Sequence, residues 1–564
     1  MKPRQAAASV RAPRLERPGT MDAVEPSRQG HVMRFEAGTP VYLKPSVKME
    51  LLLDRWLAWP HLVPPVQYAM NLAFRYLPAL QSFVANPKIH VAASNDPALY
   101  GGPFMDLPEA AAGEIAALLD ETRQRSAALL RFAADFKAFD RMLQEAGTGH
   151  SLDALYEKLP ATLAGLTELV YDHNNQPVIR IIEELAERTG LSNRASQELL
   201  LSTVADADRK FFMNTPRVSG PGNAFARVPF ASPLLDKLAV MRTRAAPFGE
   251  LAELFDAATL AREDVLEMFD TEAPARKAPD YDGEQVRVRH FGHACVLIQT
   301  PEVNILIDPM FTWDAADDGR FTYVDLPDRI DYLVISHCHQ DHFSPEALVQ
   351  LRHKVGQAIV PRNRTGSLAD PSMELALRSL GYRDVRSVGA FDSVAVPGGE
   401  IVSLPFTGEH ADLDIYSKQT LFVRVKERRF FFLVDSDAIN PALYQLVRET
   451  AGTPDAIFVG MECNGAPLSW LYGPLMTKPL SRRDDDSRRL SASNAARAWR
   501  LVSDLGARRA FIYAMGQEPW LRYVMGAEYA PDSIQARQIR NFFERCEQAG
   551  VSFEHLHIGK EMLY

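Results

Sequence analysis

Residues 336–342 read SHCHQDH and directly follow the apolar run YLVI at residues 332–335. This stretch contains three histidines and one aspartate, which are His337, His339, Asp341 and His342. Zinc proteases place two histidines four residues apart on one helix face, and because the spacing here differs we expect a loop at a strand end. On extended backbone the first two histidines point the same way, which leaves the aspartate and the last histidine for a second ion. The stretch therefore predicts a loop that serves two metal ions sharing one oxygen species, with a solvated polar turn as the alternative.

Three further segments place acidic side chains directly after apolar runs that are predicted to be buried strands. Glu409 follows IVSLPFTG and precedes His410, Asp435 ends RFFFLVD, and Glu462 ends DAIFVGME. A buried carboxylate without a partner costs several kcal/mol, and a metal pair supplies such a partner. Each acid alone could be an ordinary strand-end residue, but together with the histidine loop the acids predict a dinuclear site. The residues alone leave open whether Glu409 or His410 is a ligand.

The balance of carboxylates and imidazoles among these candidates bears on which metal is bound. Histidine-rich tetrahedral sites suit zinc, which polarises water for hydrolysis. Where the ligands are carboxylates instead of imidazoles, they add hard, anionic oxygen donors, which favour iron and the activation of dioxygen. Manganese or zinc would also bind such a set, so the donor types favour iron without excluding the other metals.

Composition and charge limit the class of protein. The chain has 564 residues, of which 46% are hydrophobic and 24% charged, which is typical of a globular protein with at least two domains. The formal net charge of −10 argues against a nucleic-acid partner. Four cysteines argue for a reducing compartment, and the basic start lacks the apolar segment of a secretion signal. We therefore expect a cytoplasmic protein with no membrane partner.

The character of the sequence changes along the chain. The first half is predicted to be mainly helical, with helices in the stretch from Ala110 to the glycine stop, in SLDALYEKL and in SNRASQELLLSTVADADRKFF. Trp56 and Trp59 are interpreted as core or interface anchors rather than substrate contacts. Short apolar runs such as VRVRHFG, IDYLVIS and TLFVRVK predict strands in the second half. The sequence thus predicts a disordered tail at 1–30, an N-terminal domain at 31–270, a linker at 271–285 and an α/β domain at 286–564.

The order of motifs in the second half resembles the metallo-β-lactamase superfamily. GHACVLIQT, ILIDPMF and SHCHQDH are followed by the later acids in the order that this superfamily uses. The resemblance implies an αβ/βα sandwich with a dinuclear site at one edge of its two sheets. Members usually have histidine as the third ligand of the first metal and as the last ligand of the second. This chain instead has Glu409 or His410 at the third position and Glu462 at the last.

A closer resemblance covers residues 40–564 and is to the diiron β-hydroxylases of carrier-bound amino acids, of the chloramphenicol-pathway type. It is carried by the stretches WLAWPHLVPP, IHVAASNDPALYGGPFMD, FGHACV, HxHQDH, LPFTGEHADLDI, GMECNGAPLSWLYGPL and YAMGQEPW. This resemblance implies an α+β N-terminal domain, mainly helical, for dimerisation or carrier docking, followed by the metallo-β-lactamase-fold sandwich.

The resemblance also implies the role of each candidate ligand. His337, His339 and Glu409 would hold one iron ion. Asp341, His342 and Glu462 would hold the other. Asp435 would bridge the two, and Glu409 and Asp435 are the residues assigned to catalysis. Cys338, inside the loop, is interpreted as inert filler.

The cofactors and partners that the family uses follow from the same resemblance. It implies two iron ions with an oxo or hydroxo bridge, dioxygen as co-substrate and an external electron donor, a ferredoxin or reductase. The chain itself has no dinucleotide-binding loop, haem motif or iron–sulfur cysteine set, which agrees with an external donor. The implied substrate is an amino acid bound to the phosphopantetheine of a peptidyl carrier domain in a nonribosomal peptide synthetase. A homodimer is also implied.

Two other functions stay open from the sequence. A zinc-dependent hydrolase of the same fold, acting on a lactone or phosphodiester, would use His410 as ligand. A metal-stabilised docking protein for a synthetase would leave a full ligand set without a purpose.

For several residues outside the ligand set, the sequence leaves two interpretations open. The arginines of RRDDDSRR, at 482, 483, 488 and 489, either contact the carrier or its arm or belong to a solvated loop. Trp470, Tyr472 and Trp520 either line the amino-acid pocket or pack in the core. His555 and His557 are interpreted as part of an alternating strand.

Overall fold

The first half of the chain combines helices with small antiparallel sheets in the computed structural model. The structure describes residues 35–96, 99, 101–186, 188–315, 318–364, 366–526 and 529–564, so the predicted tail at 1–30 lies outside the described residues. The helices are α1 (Pro65–Asn71), α2 (Leu77–Ala85), α3 (Pro87–Ser94), α4 (Ala112–Arg125), α5 (Ala127–Ala146), α6 (Asp153–Tyr156), α7 (Glu183–Ala186), α8 (Pro233–Val240), α9 (Ala257–Leu260) and α10 (Glu263–Leu266), with a π-helical turn at Leu72–Tyr76.

The strands of the first half form three sheets with the orders β8-β1-β9, β3-β2-β6-β7 and β4-β5. Their bounds are β1 (Pro40–Leu43), β2 (Lys48–Leu53), β3 (Trp56–Leu57), β4 (Thr167–Tyr171), β5 (Pro177–Ile181), β6 (Gln197–Ser202), β7 (Asn223–Arg227), β8 (Ala246–Pro247) and β9 (Phe269–Asp270). Trp56 and Trp59 are buried, as the core interpretation predicts, and the Trp56 ring stacks on Tyr76 with a centroid distance of 4.0 Å.

Three helix predictions for this half are wrong in detail. The stretch QELLLS is the strand β6, which pairs with β2 and β7 and is buried along its whole length, so tertiary pairing overrides its local helix propensity. The long helix predicted from Ala110 is interrupted at Ser126, where α4 ends and α5 begins. α6 is also shorter than SLDALYEKL predicts, because it covers only four residues.

The second half forms two seven-stranded mixed sheets with the orders β15-β14-β13-β12-β11-β10-β25 and β16-β17-β18-β19-β20-β23-β24. The bounds are β10 (Arg287–Gly292), β11 (Cys295–Gln299), β12 (Asn304–Ile307), β13 (Ile330–Val334), β14 (Val355–Pro361), β15 (Val385–Val388), β16 (Ser393–Val396), β17 (Gly399–Leu404), β18 (Thr420–Val425), β19 (Arg428–Val434), β20 (Ala456–Gly460), β21 (Ala466–Pro467), β22 (Arg489–Leu490), β23 (Arg509–Tyr513), β24 (Ser552–His555) and β25 (Lys560–Leu563). The apolar runs predicted as strands in this half are strands.

Helices cover the outer faces of the two sheets, which gives the predicted αβ/βα sandwich. They are α11 (Pro345–Leu351), α12 (Met373–Ser379), α13 (Pro441–Ala451), α14 (Leu468–Tyr472), α15 (Arg482–Ser487), α16 (Ala495–Leu505), α17 (Arg522–Met525) and α18 (Ile534–Gln548). Short 3-10 turns lie at Glu109–Ala111, Arg194–Ser196, Asp206–Asp208, Phe248–Glu253, Tyr323–Asp325, Gly473–Leu475 and Pro519–Leu521. In the part of the chain that the structure describes, no helix has the length and apolar character that a bilayer crossing requires.

Apolar packing joins the two halves of the chain. One cluster of apolar side chains fills the space between the two large sheets, and another extends from the first sheet into the N-terminal half. Residues 35–564 accordingly form one compact unit. Residues 271–285 contain no helix or strand, and Arg276 in this segment donates hydrogen bonds to the carbonyls of Val324 and Leu326. The division into two domains with a linker between them therefore stays a prediction.

A buried ion network also ties the N-terminal half to the helix that follows the histidine loop. The Arg209 guanidinium lies 2.9 Å from Glu50 Oε1 and also contacts the carboxylate of Glu346 in α11. The same guanidinium stacks on the Tyr523 ring, with its carbon 3.4 Å from the ring centroid. Burial alone would raise the pKa of Glu50, but the charges of Arg217 and Arg209 lower it to about 2.

Replacement of Arg209 with methionine is expected to lower the free energy of unfolding by about 3–5 kcal/mol, because Glu346 would lose the guanidinium that neutralises it. Urea unfolding followed by circular dichroism measures this difference. Arg362→Met is the matched control, since Arg362 pairs with Asp392 at the exposed surface, and its effect should stay below about 1 kcal/mol. Equal effects of the two substitutions would contradict the prediction.

Candidate metal centre

The histidine loop begins directly after β13, at the edge where several strands of both sheets end. β13 runs parallel to β12 and β14, so the loops that follow β12 and β13 lie side by side. Asp308, just after β12, accepts hydrogen bonds from the backbone N–H of Ser336 at 2.7 Å and from its Oγ at 2.6 Å. These bonds fix the start of the loop before its first histidine.

A first group of candidate ligands consists of His337, His339, Glu409 and His410, which are all buried. His339 Nδ1 lies 2.7 Å from Glu409 Oε1, and His410 Nδ1 lies 2.8 Å from Glu409 Oε2. The Glu409 backbone is in the left-handed region, with φ 66°, within a run of positive φ angles from Gly408 to Asp412 that His410 interrupts. This tight loop turns the carboxylate toward the histidines, and both Glu409 and His410 stay close enough to bind.

The second group surrounds His342. Its Nε2 lies 3.0 Å from Asp435 Oδ2 and 3.8 Å from Asp341 Oδ2, while its Nδ1 is 2.9 Å from Asp308. His337 Nε2 lies 3.9 Å from the same Asp435 oxygen. Asp435 therefore lies between histidines of both groups, which is the position that a bridging carboxylate needs.

Glu462 lies at the same edge of the sheets but outside the three tight groups of possible ligand atoms found among the described residues. Its Oε1 accepts hydrogen bonds from Gln535 Nε2 at 2.8 Å and from the backbone N–H groups of Asn464 and Gly465 at 3.0 and 2.7 Å. No described residue forms a hydrogen bond with its Oε2, and the carboxylate faces the same cavity as Asp341, Glu409 and Asp435. Hydrogen bonds thus hold Oε1 of Glu462 in place, and Oε2 is available to bind a metal ion.

The charges of the centre oppose the effect of burial. Burial alone would raise the pKa of Asp341 and Glu409, but the neighbouring imidazoles hold both pKa values well below their usual range. For Asp435 and Glu462 burial dominates and raises the pKa. Burial would lower the pKa of His342, but the carboxylates of Asp435 and Asp341 raise it. So many buried carboxylates in one place require cations among them.

Unpartnered ligand atoms provide the test of whether this set fits two metal ions. Four buried atoms have no hydrogen-bond partner in the described part of the chain: His337 Nε2, Asp435 Oδ1, Glu462 Oε2 and His410 Nε2. Unpaired buried polar atoms are rare in folded proteins, and a metal ion is a common reason for them. Four carboxylates and three histidines of the predicted set also supply the oxygen-rich donors that suit a pair of iron ions. The residues fit the metals.

Outer partners orient several of these side chains. His337 Nδ1 lies 2.9 Å from Ser336 Oγ, and His339 Nε2 lies 3.2 Å from the hydroxyl of Tyr472. Such partners fix which ring nitrogen faces a metal. Cys338 points into the core, and burial raises the pKa of its thiol, so the thiol stays protonated, in agreement with its interpretation as filler.

The sequence reasoning missed two residues that belong to the centre. Asp308 ends the apolar run ILID, which is the same signal that identified Asp435, and it holds both Ser336 and His342. His293, in FGHACV, lies 3.1 Å through Nε2 from Asp341 Oδ2 and forms a third group with Asp341 and His342. The sequence feature that could have identified His293 is the glycine–histidine pair between the two apolar runs that form β10 and β11.

One cavity of about 1000 Å³ leads from the surface to the metal centre. Its inner end is lined by His339, Asp341, Glu409, Asp435 and Glu462. Its wall contains Met213, Trp470, Leu471, Val524 and Met525, and exposed residues such as Asn95, Arg522 and Ala530 surround its outer end. The cavity thus has apolar side chains along part of its wall and ends at carboxylates.

The aromatic and basic residues for which the sequence left two interpretations lie in different parts of the structure. Trp470 lines the cavity, whereas Tyr472 and Trp520 are buried. Arg488 donates from Nε to the Ala411 carbonyl at 2.9 Å, which ties its segment to the Glu409 loop.

The remaining arginines and the C-terminal histidines are placed as follows. Arg489 donates from Nε to the Asn464 carbonyl at 2.6 Å, next to the Glu462 segment. Arg482 and Arg483 are exposed in α15. His555 ends β24, whereas His557 lies beyond this strand, with its Nε2 2.7 Å from the Gln517 carbonyl. The predicted alternating strand therefore includes only the first of the two histidines.

Comparison with known protein families finds matches in both halves of the chain. A family described as the diiron non-heme beta-hydroxylase N-terminal domain matches residues 42–274. A family described as the beta-lactamase superfamily domain matches residues 287–415.

Similar individual proteins extend these matches over nearly the whole chain. A 4-amino-L-phenylalanyl-[CmlP-peptidyl-carrier-protein] 3-hydroxylase of Streptomyces venezuelae is 33% identical over 529 residues, which cover 92% of this chain and 99% of that protein. The crystal structure of CmlA, a diiron beta-hydroxylase from Streptomyces venezuelae, superposes with a TM-score of 0.85 at 32% identity and covers 93% of this chain and 100% of its own. A UPF0173 metal-dependent hydrolase of Nitratidesulfovibrio vulgaris is 28% identical over 169 residues, covering 25% of this chain and 64% of that protein.

Proposed function

The chain belongs to the diiron non-heme β-hydroxylase family, and from this premise we propose that it hydroxylates the β-carbon of an amino acid held as a thioester on a peptidyl carrier domain of a nonribosomal peptide synthetase. The family membership makes the protein a non-heme diiron monooxygenase and disfavours the zinc-dependent hydrolase. The carrier-bound substrate rests on the activity of the Streptomyces venezuelae relative, which is a hydroxylase of an aminoacyl group on a peptidyl carrier protein.

The cavity is the observation that carries this proposal. It begins among exposed residues, passes the apolar wall at Met213 and Trp470, and ends at Glu409, Asp435 and Glu462. A passage of this shape suits an amino acid at the end of a flexible arm, since the bulky carrier can stay outside. An aminoacyl side chain would lie against the apolar wall while its β-carbon faces the carboxylates.

The candidate ligands and the residues that orient them have different proposed roles in the metal centre. We assign His337, His339 and Glu409 to one iron, Asp341, His342 and Glu462 to the other, and Asp435 to both. When bound, the two ions supply the activation of dioxygen. Ser336 and Tyr472 hold the histidines in fixed orientations, and Gln535 holds one oxygen of Glu462. Met213, Trp470 and Met525 offer apolar contacts to the side chain of the substrate.

The remaining partners are proposed on less direct support. A ferredoxin or reductase would supply electrons, because the sequence has no motif for an electron carrier of its own. A homodimer follows from the family resemblance. The four cysteines are all free, which agrees with a reducing cytoplasm as the place of action.

The test is a reaction of the iron-loaded protein with a carrier domain that bears aromatic or aliphatic aminoacyl groups, a ferredoxin system and ¹⁸O₂. Mass spectrometry of the intact carrier should show one ¹⁸O atom added to at least one aminoacyl thioester. The same amino acids free in solution should stay unchanged, because they lack the arm that fills the cavity.

Zinc-loaded protein provides the contrasting outcome. A protein that is inactive with iron and that releases the amino acid from the carrier with zinc would overturn the proposal in favour of hydrolysis. Hydroxylation of free amino acids at the same rate would keep the oxygenase and remove the carrier from the proposal.

A further inference from the structure

His293 is a buried residue near the metal centre whose backbone is strained, as the backbone of Glu409 is. It lies between β10 and β11 with φ 49°, a left-handed conformation that non-glycine residues seldom adopt. The preceding Gly292 also has a positive φ of 111°. Strained backbone persists only where the surroundings impose it, and it concentrates at functional sites.

Several contacts impose this conformation. The His293 N–H donates to the carboxylate of Glu518, and its carbonyl accepts from the Ala514 N–H at 3.1 Å. The same carbonyl lies 2.8 Å from His290 Nε2. Gly292 is required beside it, because any side chain there would collide with the Trp520 indole. These contacts fix the conformation of the turn. The turn then determines the direction in which the His293 imidazole points.

That imidazole points at a candidate ligand. His293 is fully buried, its Nε2 lies 3.1 Å from Asp341 Oδ2, and its ring centroid is 5.1 Å from that of His342. Among the described residues neither ring nitrogen has another hydrogen-bond partner, so the contact of Nε2 with the Asp341 carboxylate is its polar contact at ion-pair distance. A backbone held so firmly for a single side-chain contact indicates that the contact matters.

We propose that His293 is a positioning residue of the metal centre, which donates from Nε2–H to Asp341 Oδ2 and so leaves the other carboxylate oxygen turned toward the second iron. Hydrogen bonds to metal-binding carboxylates fix their orientation and are part of the affinity of a site. The inference rests on the iron pair of the family and is independent of the proposed carrier-bound substrate.

Iron binding in the absence of substrate tests this role. His293→Ala is expected to weaken binding of one iron per chain by about 10–100-fold, as loss of an outer partner does, and to change the Mössbauer signal of one of the two ions. His293→Gln should recover most of the affinity, since its Nε2–H₂ occupies nearly the place of the imidazole Nε2–H. Chelator competition measures the affinity, and thermal unfolding of the metal-free proteins shows that each variant folds.

His90→Gln is the matched control. His90 is also buried, but it contacts Ser82 Oγ and the Met105 N–H in the first half of the chain, so its replacement should leave iron affinity unchanged.

Two outcomes would overturn the proposal. Wild-type iron affinity in His293→Ala would show that the imidazole plays no part. Failure of His293→Gln together with restored iron binding when imidazole is added to His293→Gly would show that His293 is itself a ligand.

Discussion

Replacement of Asp435 with asparagine is expected to abolish the coupled iron pair and to lower hydroxylation by more than about 100-fold, which exceeds the loss typical of outer partners. Asp435 Oδ2 lies 3.0 Å from His342 Nε2 and 3.9 Å from His337 Nε2, so it reaches both groups of ligands. Asparagine has nearly the same shape, but it is neutral and offers one oxygen instead of two. It therefore removes the bridge while it preserves the packing.

Iron analysis and electron paramagnetic resonance measure this result, because isolated ferric ions give a signal that a coupled pair lacks. The control is Asp437→Asn, two residues further along the same loop. Asp437 is also buried, but it contacts Arg497 and Ser493 instead of the histidines. We expect two coupled iron ions per chain in the control, and the same finding in Asp435→Asn would contradict the assignment of the bridge.

Strands of the metal domain are predictable from the sequence because both of their faces are buried. Strands such as β19 and β20 lie between the inner core and a helical layer, which makes them continuous apolar runs. The same reasoning fails for β6, where a run of leucines next to glutamate and glutamine has helical propensity. Only pairing with β2 and β7, which are distant in sequence, decides that this segment is extended.

Candidate ligands are predictable to a similar degree and for a related reason. An acid directly after a buried strand needs a partner, so Asp435 and Glu462 are visible in the sequence. The role of His293 cannot be predicted in this way. It depends on the contact with Asp341 and on a hydrogen bond from the His293 backbone N–H to the Glu518 carboxylate, 225 positions away in the sequence. Long-range contacts of this kind are decided by the fold and leave no local pattern.

Removal of the Glu409 carboxylate should separate the two residues that the sequence left as alternatives for the first iron. Glu409→Ala is expected to lower hydroxylation by more than about 100-fold and to reduce iron content, whereas His410→Ala should cost only about 10–100-fold. Glu409 faces the cavity and contacts His339 Nδ1 at 2.7 Å, while His410 contacts the second oxygen of the same carboxylate at 2.8 Å. His410 thus has the position of an outer partner.

The competing assignment makes the opposite prediction. His410 Nε2 has no hydrogen-bond partner among the residues that the structure describes, and burial lowers the pKa of this histidine to about 4, so a neutral imidazole is available to a metal. If His410 were the ligand, His410→Ala would lose the iron and Glu409→Ala would keep it. Glu409→His tests the effect of the donor type alone, because it replaces the anionic oxygen donor with an imidazole at the same position. We expect this variant to bind zinc in preference to iron and to lose hydroxylation, since the carboxylate is what suits the site to iron.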